Sequence, residues 1–114
     1  MRVVITGGRD YKDRDFVYSA LDNIHKETPI TLLIEGGAEG ADRFGRMWGK
    51  SRGVYVATLW ALWDTFGNAA GPLRNQAMIK LLMPEQGVAF PGNNGTANMV
   101  EQMNKAGIPV LDLR

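Results

Sequence analysis

GVAFPGNNGTANMVEQM, residues 87–103, changes its period in the middle. The apolar run GVAF has the length of a buried strand, and after the glycine–asparagine loop the apolar residues return at helical spacing. A strand that hands over to a helix through a polar glycine loop is half of a parallel β–α–β unit. The loop itself has two readings. As a tight turn, it uses Gly92 and Gly95 for close backbone geometry, with Asn93 and Asn94 tolerating left-handed conformations. As an anion site, it offers the free N–H groups of the helix N-terminus, with Thr96 and the two asparagine side chains as further donors. It is not a Walker A loop, since no Lys-Ser/Thr pair follows, and it is not GxGxxG.

The same handover recurs along the chain. RVVIT (2–6) is followed by Gly7 and Gly8, and then Phe16, Val17, Ala20, Leu21 and Ile24 fall at helical spacing, with Asp13 or Asp15 as N-cap. ITLLIE (30–35) is followed by Gly36 and Gly37 and a helix over 41–52 that Gly53 closes. VYVATL (54–59) reads as a third strand, while 60–71, with Trp60, Trp63 and Phe66, has no clear element. Pro72 suits the first turn of a helix carrying Leu73, Ala77, Leu81 and Leu82. GVAF, a helix from about 95 to 106 closed by Gly107, and IPVLDL (108–113) complete the chain. Five strands alternating with helices predict one α/β domain over 1–114: a parallel sheet covered on both faces, three layers in all. The expected strand order is 3-2-1-4-5. In that order the loops after strands 1 and 4 wall a crevice at the carboxyl edge, with the loop after strand 2 alongside.

Composition narrows the function classes. The 114 residues, 45% apolar and 22% charged, are those of an ordinary globular domain with room for one core. A net charge of +1 gives nucleic-acid or anionic-membrane binding no support. No cysteine is present, which excludes disulfides, thiolate metal sites and a cysteine nucleophile, and the single His25 cannot build a multi-histidine metal site. With no signal-like segment and no apolar run of membrane-spanning length, a cytoplasmic location is expected. No metal and no cofactor is expected.

The fourteen glycines cluster where strands end or helices begin. One such loop is ambiguous, whereas three on one sheet edge point to a ligand. Arg74 stands in the first turn of its helix, where a cation opposes the macrodipole, so it either meets an anion or pairs with Asp64 or Glu85. Arg9 is a similar candidate, with Asp10 as its alternative partner. Asp42 is either a site residue or a favourable first-turn charge, and Glu35 ends a strand beside it. Trp63 either stacks on a base or packs in the core. Glu101 reads as a solvated helix residue, and His25 is expected to be exposed without a role.

TGGRDY, EGGAEGAD, WDTFGNAAGPLRNQAM and FPGNNGTANMV resemble, in order and spacing, the YspA or cpYpsA-related family of the SLOG superfamily. The resemblance runs from about residue 3 to 112. Relatives include the LOG phosphoribohydrolases and the DNA-processing protein DprA. It implies a Rossmann-like fold that binds a nucleotide or a nucleotide-derived ligand of nucleoside phosphate, NAD or ADP-ribose type. Gly7, Gly8, Arg9, Gly36, Gly37, Asp42, Trp63, Arg74, Asn75, Pro91, Gly92, Asn93, Asn94, Gly95 and Thr96 are the expected ligand-binding residues. In LOG enzymes an arginine, matched by Arg74, and glutamates after the phosphate loop cleave an N-glycosidic bond. Here those glutamates fall at Asn98 and Met99, so the expected carboxylate is missing from its place. Glu101 lies about 200° around the helix from position 99 and faces elsewhere. Glycosidic cleavage passes through an oxocarbenium-like sugar that a carboxylate stabilises, which neither an amide nor a thioether does. A binding or sequestering module is therefore better supported than a hydrolase. In a hydrolase, Glu35 or Asp42 would have to supply the charge and Arg74 the phosphate anchor. Binding of single-stranded DNA, by analogy with DprA, is the weakest reading. Superfamily relatives commonly assemble, so a homo-oligomer is the expected state.

Overall fold

Arg2–Thr6 forms β1 at the centre of a sheet whose five strands are all parallel, in a computed structural model that describes residues 1–114. The other strands are β2 (Leu32–Glu35), β3 (Tyr55–Thr58), β4 (Gln86–Ala89) and β5 (Val110–Asp112). Their order is β3-β2-β1-β4-β5, the order expected from the sequence. Register places Thr6 opposite Ala89 and Glu35 opposite Thr58, so the strands feeding the glycine loops end level with one another. The chain reverses outward on both sides of the β1–β4 pair. That is the switch point at which parallel sheets open a crevice.

Helices α1 (Arg14–Glu27) and α2 (Ala41–Arg52) cover one face, and α4 (Ala70–Leu82) and α5 (Asn94–Lys105) cover the other. The alternation along β1 divides the two cores. Val3 and Ile5 pack with Val17, Leu21, Leu33, Trp48 and Phe90, whereas Val4 packs with Ile34, Met78, Met99 and Met103. Asp13 caps α1 by accepting the Phe16 N–H at 3.0 Å. Gly53 ends α2 at φ +68°, as its sequence position predicts. Trp48 is fully buried, and its indole N–H donates to Asp22 on α1 at 2.8 Å.

Three local expectations are corrected. Residues 60–71 contain a one-turn helix, α3 (Trp63–Phe66), and a 3-10 turn (Gly67–Ala69) that runs directly into α4. The buried face of α4 is Ala70, Gly71, Asn75 and Met78, whereas Leu73 and Leu81 are exposed. This helix is apolar on both sides, so periodicity could not choose its inner face. His25 is half-buried, stands edge-on to Trp48, and accepts the Ile30 N–H on Nδ1 at 2.9 Å. It holds the turn out of α1.

Candidate functional site

The loops after β1 and β4 touch through their backbones. Gly8 N–H donates to the Pro91 carbonyl at 2.8 Å, and the Gly8 carbonyl accepts the N–H groups of Ala41 and Tyr11, each at 3.3 Å. Gly92 is required by closeness. A Cβ there would overlap the Thr96 hydroxyl and come within 2.8 Å of the Gly8 nitrogen. Gly40, at φ +73°, plays the matching part at the start of α2, where a Cβ would strike the Gly8 carbonyl. Between these loops and α4 lies a cleft of about 850 Å³ at the carboxyl edge of the sheet.

The N-terminus of α5 opens into this cleft. Asn93 stands at the N-cap but makes no side-chain capping bond, and the first turn carries no acidic residue. The first N–H groups of the helix are thus left for an outside acceptor. Thr96 is buried, yet its hydroxyl lines the cleft and forms no hydrogen bond within the protein. A Cβ on Gly95 would meet nothing within 4 Å. The asparagines do not adopt the left-handed geometry they were expected to tolerate. Asn93 has φ −109°, and Met83 is the one non-glycine residue at positive φ.

Two arginines face the same cleft. Arg9 is exposed and forms no ion pair, with Asp10 or otherwise. Arg74 pairs with neither Asp64 nor Glu85, the latter lying against Arg2. Its Nη1 donates to the Gly36 carbonyl at 2.7 Å and its Nε to Asn75 Oδ1 at 3.0 Å. Burial pulls the Arg74 pKa below the ordinary value, and Arg9 adds to that effect while Asp42 and Glu35 oppose it. A half-buried guanidinium fixed by neutral acceptors keeps most of its charge available to an anion.

Two carboxylates stand behind this edge in different states. Glu35 is fully buried and spent. Its Oε1 accepts from Gly37 N–H and from Arg46, both at 2.7 Å, and its Oε2 takes a very short bond from the Thr58 hydroxyl. Asp42, in the first turn of α2, has no cation within ion-pair distance and lines the cleft. Its Oδ2 accepts the N–H groups of Gly36 at 3.2 Å and Ala38 at 3.3 Å. Burial first, and then the charge of Glu35, push its pKa up to about 7, against the pull of the Ala38 N–H, Arg74 and the Gly36 N–H.

Of the residues singled out in the sequence, Gly7, Gly8, Arg9, Asp42, Trp63, Arg74, Asn75 and the whole run Pro91–Thr96 line the one cleft. Trp63 stands half-exposed on it rather than in the core. Glu35, Gly36 and Gly37 do not line it. Gly36 packs against the Arg74 guanidinium, and Gly37, at φ +78°, lies under the Trp60 indole. Tyr11, Asn68 and Asn98 also line the cleft without having been singled out as ligand-binding. Asn98 had a readable signal in Gln102, which follows at the spacing that puts two side chains on one helix face. The two make a hydrogen bond of 2.7 Å.

A parallel sheet with glycine-rich loops converging at its switch point defines a Rossmann-like α/β module. The chain belongs to the YspA, cpYpsA-related SLOG family, whose sequence model matches residues 1–66. Over 119 aligned residues it is 37% identical to the "Gene 61 protein" of Mycobacterium phage D29, covering 97% of this chain and 94% of that one. Membership implies a nucleotide-related ligand in general and singles out no particular one. No helix is long and apolar enough to cross a membrane.

Proposed function

We propose that the cleft binds a nucleotide-derived ligand of nucleoside phosphate, NAD or ADP-ribose type by its phosphate, and that the protein holds this ligand as a sensor or sequestering module. The observation that carries the reading is convergence. The uncapped N-terminus of α5, the unpaired Arg9 and the neutrally anchored Arg74 face one cleft. Free helical N–H groups and cations in a partly dry site are what an anion needs. Five asparagines, at 68, 75, 93, 94 and 98, supply the neutral donors and acceptors that a sugar or base would use.

A second reading, cleavage of a nucleotide N-glycosidic bond, is favoured by one observation. Asp42 is a cleft carboxyl whose pKa of about 7 suits a general acid at neutral pH. Arg74 would then anchor phosphate, and Glu35, tied to Arg46 and Thr58, would take no part.

Mass spectrometry of protein incubated with AMP, NAD and ADP-ribose separates the two. Binding alone predicts intact ligand recovered from the denatured protein. Hydrolysis, with water taking the place of the base on the sugar, predicts adenine and ribose phosphate from AMP, or nicotinamide and ADP-ribose from NAD, abolished by Asp42→Asn. Gly95→Ala is the sharper structural test, because Gly95 lines the cleft and a methyl group there meets no protein atom. It should weaken retention of the ligand by about tenfold or more, a change of about 1.4 kcal/mol. Stability should stay the same or rise by up to about 1 kcal/mol, since alanine replaces glycine in a helix. If none of the three ligands is either retained or cleaved by the unaltered protein, the nucleotide reading is wrong.

A further inference from the structure

Amide side chains look alike at both ends, so their polarity has to be read from partners that cannot change roles. Three such partners surround the asparagines of the cleft. The Arg74 Nε–H only donates, and the carbonyls of Gly95 and Pro72 only accept. Arg74 donates to Asn75 Oδ1 at 3.0 Å, and Asn75 Nδ2 donates to the Gly95 carbonyl at 3.2 Å. Asn75 is thereby fixed twice over, and its Nδ2 reaches Asn98 Oδ1 at 3.2 Å. From the other side, Gln102 Nε2 is fixed by the Pro72 carbonyl at 3.1 Å and donates to the same Asn98 Oδ1 at 2.7 Å.

Two independent donors therefore meet on one oxygen, and Asn98 has a single orientation. Flipping it would set its NH₂ group against both donors and leave Asn75, which is buried, with an unmet hydrogen. The Asn98 NH₂ group is left with no partner in the protein. It is not sealed away, because no buried side-chain nitrogen or oxygen is unpaired anywhere in the chain, and Asn98 lines the cleft. The relay running from Arg74 through Asn75 thus ends in a fixed donor.

We infer that Asn98 reads the ligand, donating from Nδ2 to an acceptor oxygen next to the phosphoryl group held at the tip of α5. The inference rests on the nucleotide reading above. Side chains on a helix lean towards its N-terminus, and Asn98 shares the Asn75 Nδ2 with the Gly95 carbonyl. Its amide therefore lies beside the first turn of α5 and not at its tip, within reach of what is attached to the phosphoryl group. That acceptor is either a sugar oxygen of a nucleoside monophosphate or the second phosphoryl group of a diphosphate. A donor fixed at this point cannot take a proton from water, so this wall of the cleft binds and does not activate.

Titration calorimetry with AMP, ADP and inorganic phosphate tests the inference on four proteins: unaltered, Asn98→Ala, Asn98→Asp and Gly95→Ala. Asn98→Ala should weaken AMP or ADP by about tenfold or more, the scale of a lost hydrogen bond to a polar or charged ligand oxygen. Inorganic phosphate, which reaches only the helix tip, should change by no more than about twofold on the same reasoning. A loss already complete with AMP assigns the sugar oxygen, and a loss seen only with ADP assigns the second phosphoryl group. Asn98→Asp keeps an acceptor for both Asn75 and Gln102 but removes the donors. It should melt within a few degrees of the unaltered protein and lose the nucleotide by more than it loses inorganic phosphate, since charge repulsion weakens both and a purely structural role for Asn98 does not predict the difference. If Gly95→Ala weakens AMP and ADP while Asn98→Ala binds both as the unaltered protein does, the inference alone falls. If the unaltered protein binds neither nucleotide, the nucleotide reading falls and takes the inference with it.

Discussion

Asp42 and Glu35 lie seven positions apart and show what a buried carboxylate requires. Glu35 has a guanidinium, a backbone N–H and a hydroxyl, which together offset the loss of water around its charge. Asp42 has two N–H groups on one oxygen and only distant help from Arg74, so its neutral form is favoured up to about pH 7. A neutral acid beside an anion site also removes a repulsion that a charged one would impose. The consequence for stability has a definite sign. The folded pKa of about 7 is raised above the ordinary 3.8, so between these values the native state holds a proton that the unfolded chain has released. Stability therefore falls as pH rises through that window. An asparagine in place of Asp42 would carry no such penalty, and its one side-chain oxygen can accept both N–H groups. Asp42→Asn should match the unaltered protein near pH 4 and exceed it by about 2–4 kcal/mol at pH 8 in urea denaturation. An equal difference at both pH values would mean that water in the cleft solvates the carboxylate and that the site is wetter than its burial implies.

At the scale of elements, α4 is the least regular and the least legible. It ends on Met83 at φ +47°, a left-handed conformation that glycine adopts freely and a side chain resists. Met83 is exposed, so little packing is lost on replacing it. Met83→Gly should therefore raise the thermal midpoint, with a gain of about 0.5–1 kcal/mol in chemical denaturation. Helices α1, α2 and α5 were legible because each has one polar side and glycine or a capping side chain at an end. Asp13 and Gly53 marked the ends of α1 and α2, β-branched runs closed by glycine pairs located β1 and β2, and the alternation of strands with helices suggested the order 3-2-1-4-5. Leu73 and Leu81 misled because an apolar residue signals burial only where the opposite face is polar. The site was legible to the same depth. Glycine pairs revealed the loops, but Arg74 was reached through a misplaced helix start: α4 begins at Ala70, which puts Arg74 in the second turn rather than the first, where the macrodipole has faded. The contrast between Glu35 and Asp42 was invisible, because it depends on Arg46 and Thr58, which the fold brings from α2 and β3. The polarity of Asn98 was equally hidden, since it is set by Arg74, Asn75 and the Pro72 carbonyl on α4 together with the Gly95 carbonyl of its own helix.

For the molecule as a whole, the unbalanced quantity in its own energetics is the apolar surface left outside both cores. Trp60, Leu62, Trp63 and Phe66 are each 47–65% exposed, four large side chains within seven residues. Leu73 and Leu81 extend the exposed apolar set along α4, on the side turned away from the core. Monomeric domains rarely leave contiguous apolar patches beyond a few hundred Å², and partly exposed tryptophans are enriched where proteins meet. A helix that is apolar on both sides is matched to burial on both sides. The state expected from this surface is a homo-oligomer, with a second copy covering residues 60–66 and the outer side of α4. Because Trp63 and Arg74 belong to the same stretch of chain and line the cleft, association would also shield the ligand site from water. Sedimentation velocity from about 1 to 100 µM, a span that brackets the micromolar affinities typical of modest interfaces, should show a mass above 12.6 kDa that rises with concentration. Trp60→Ser with Leu81→Lys should return the protein to a monomer that still unfolds in one cooperative transition, since neither side chain belongs to a core cluster. A single 12.6 kDa species across the whole range would leave the ligand as the remaining cover for Trp63. Adding a nucleotide should then quench the fluorescence of that tryptophan in the monomer.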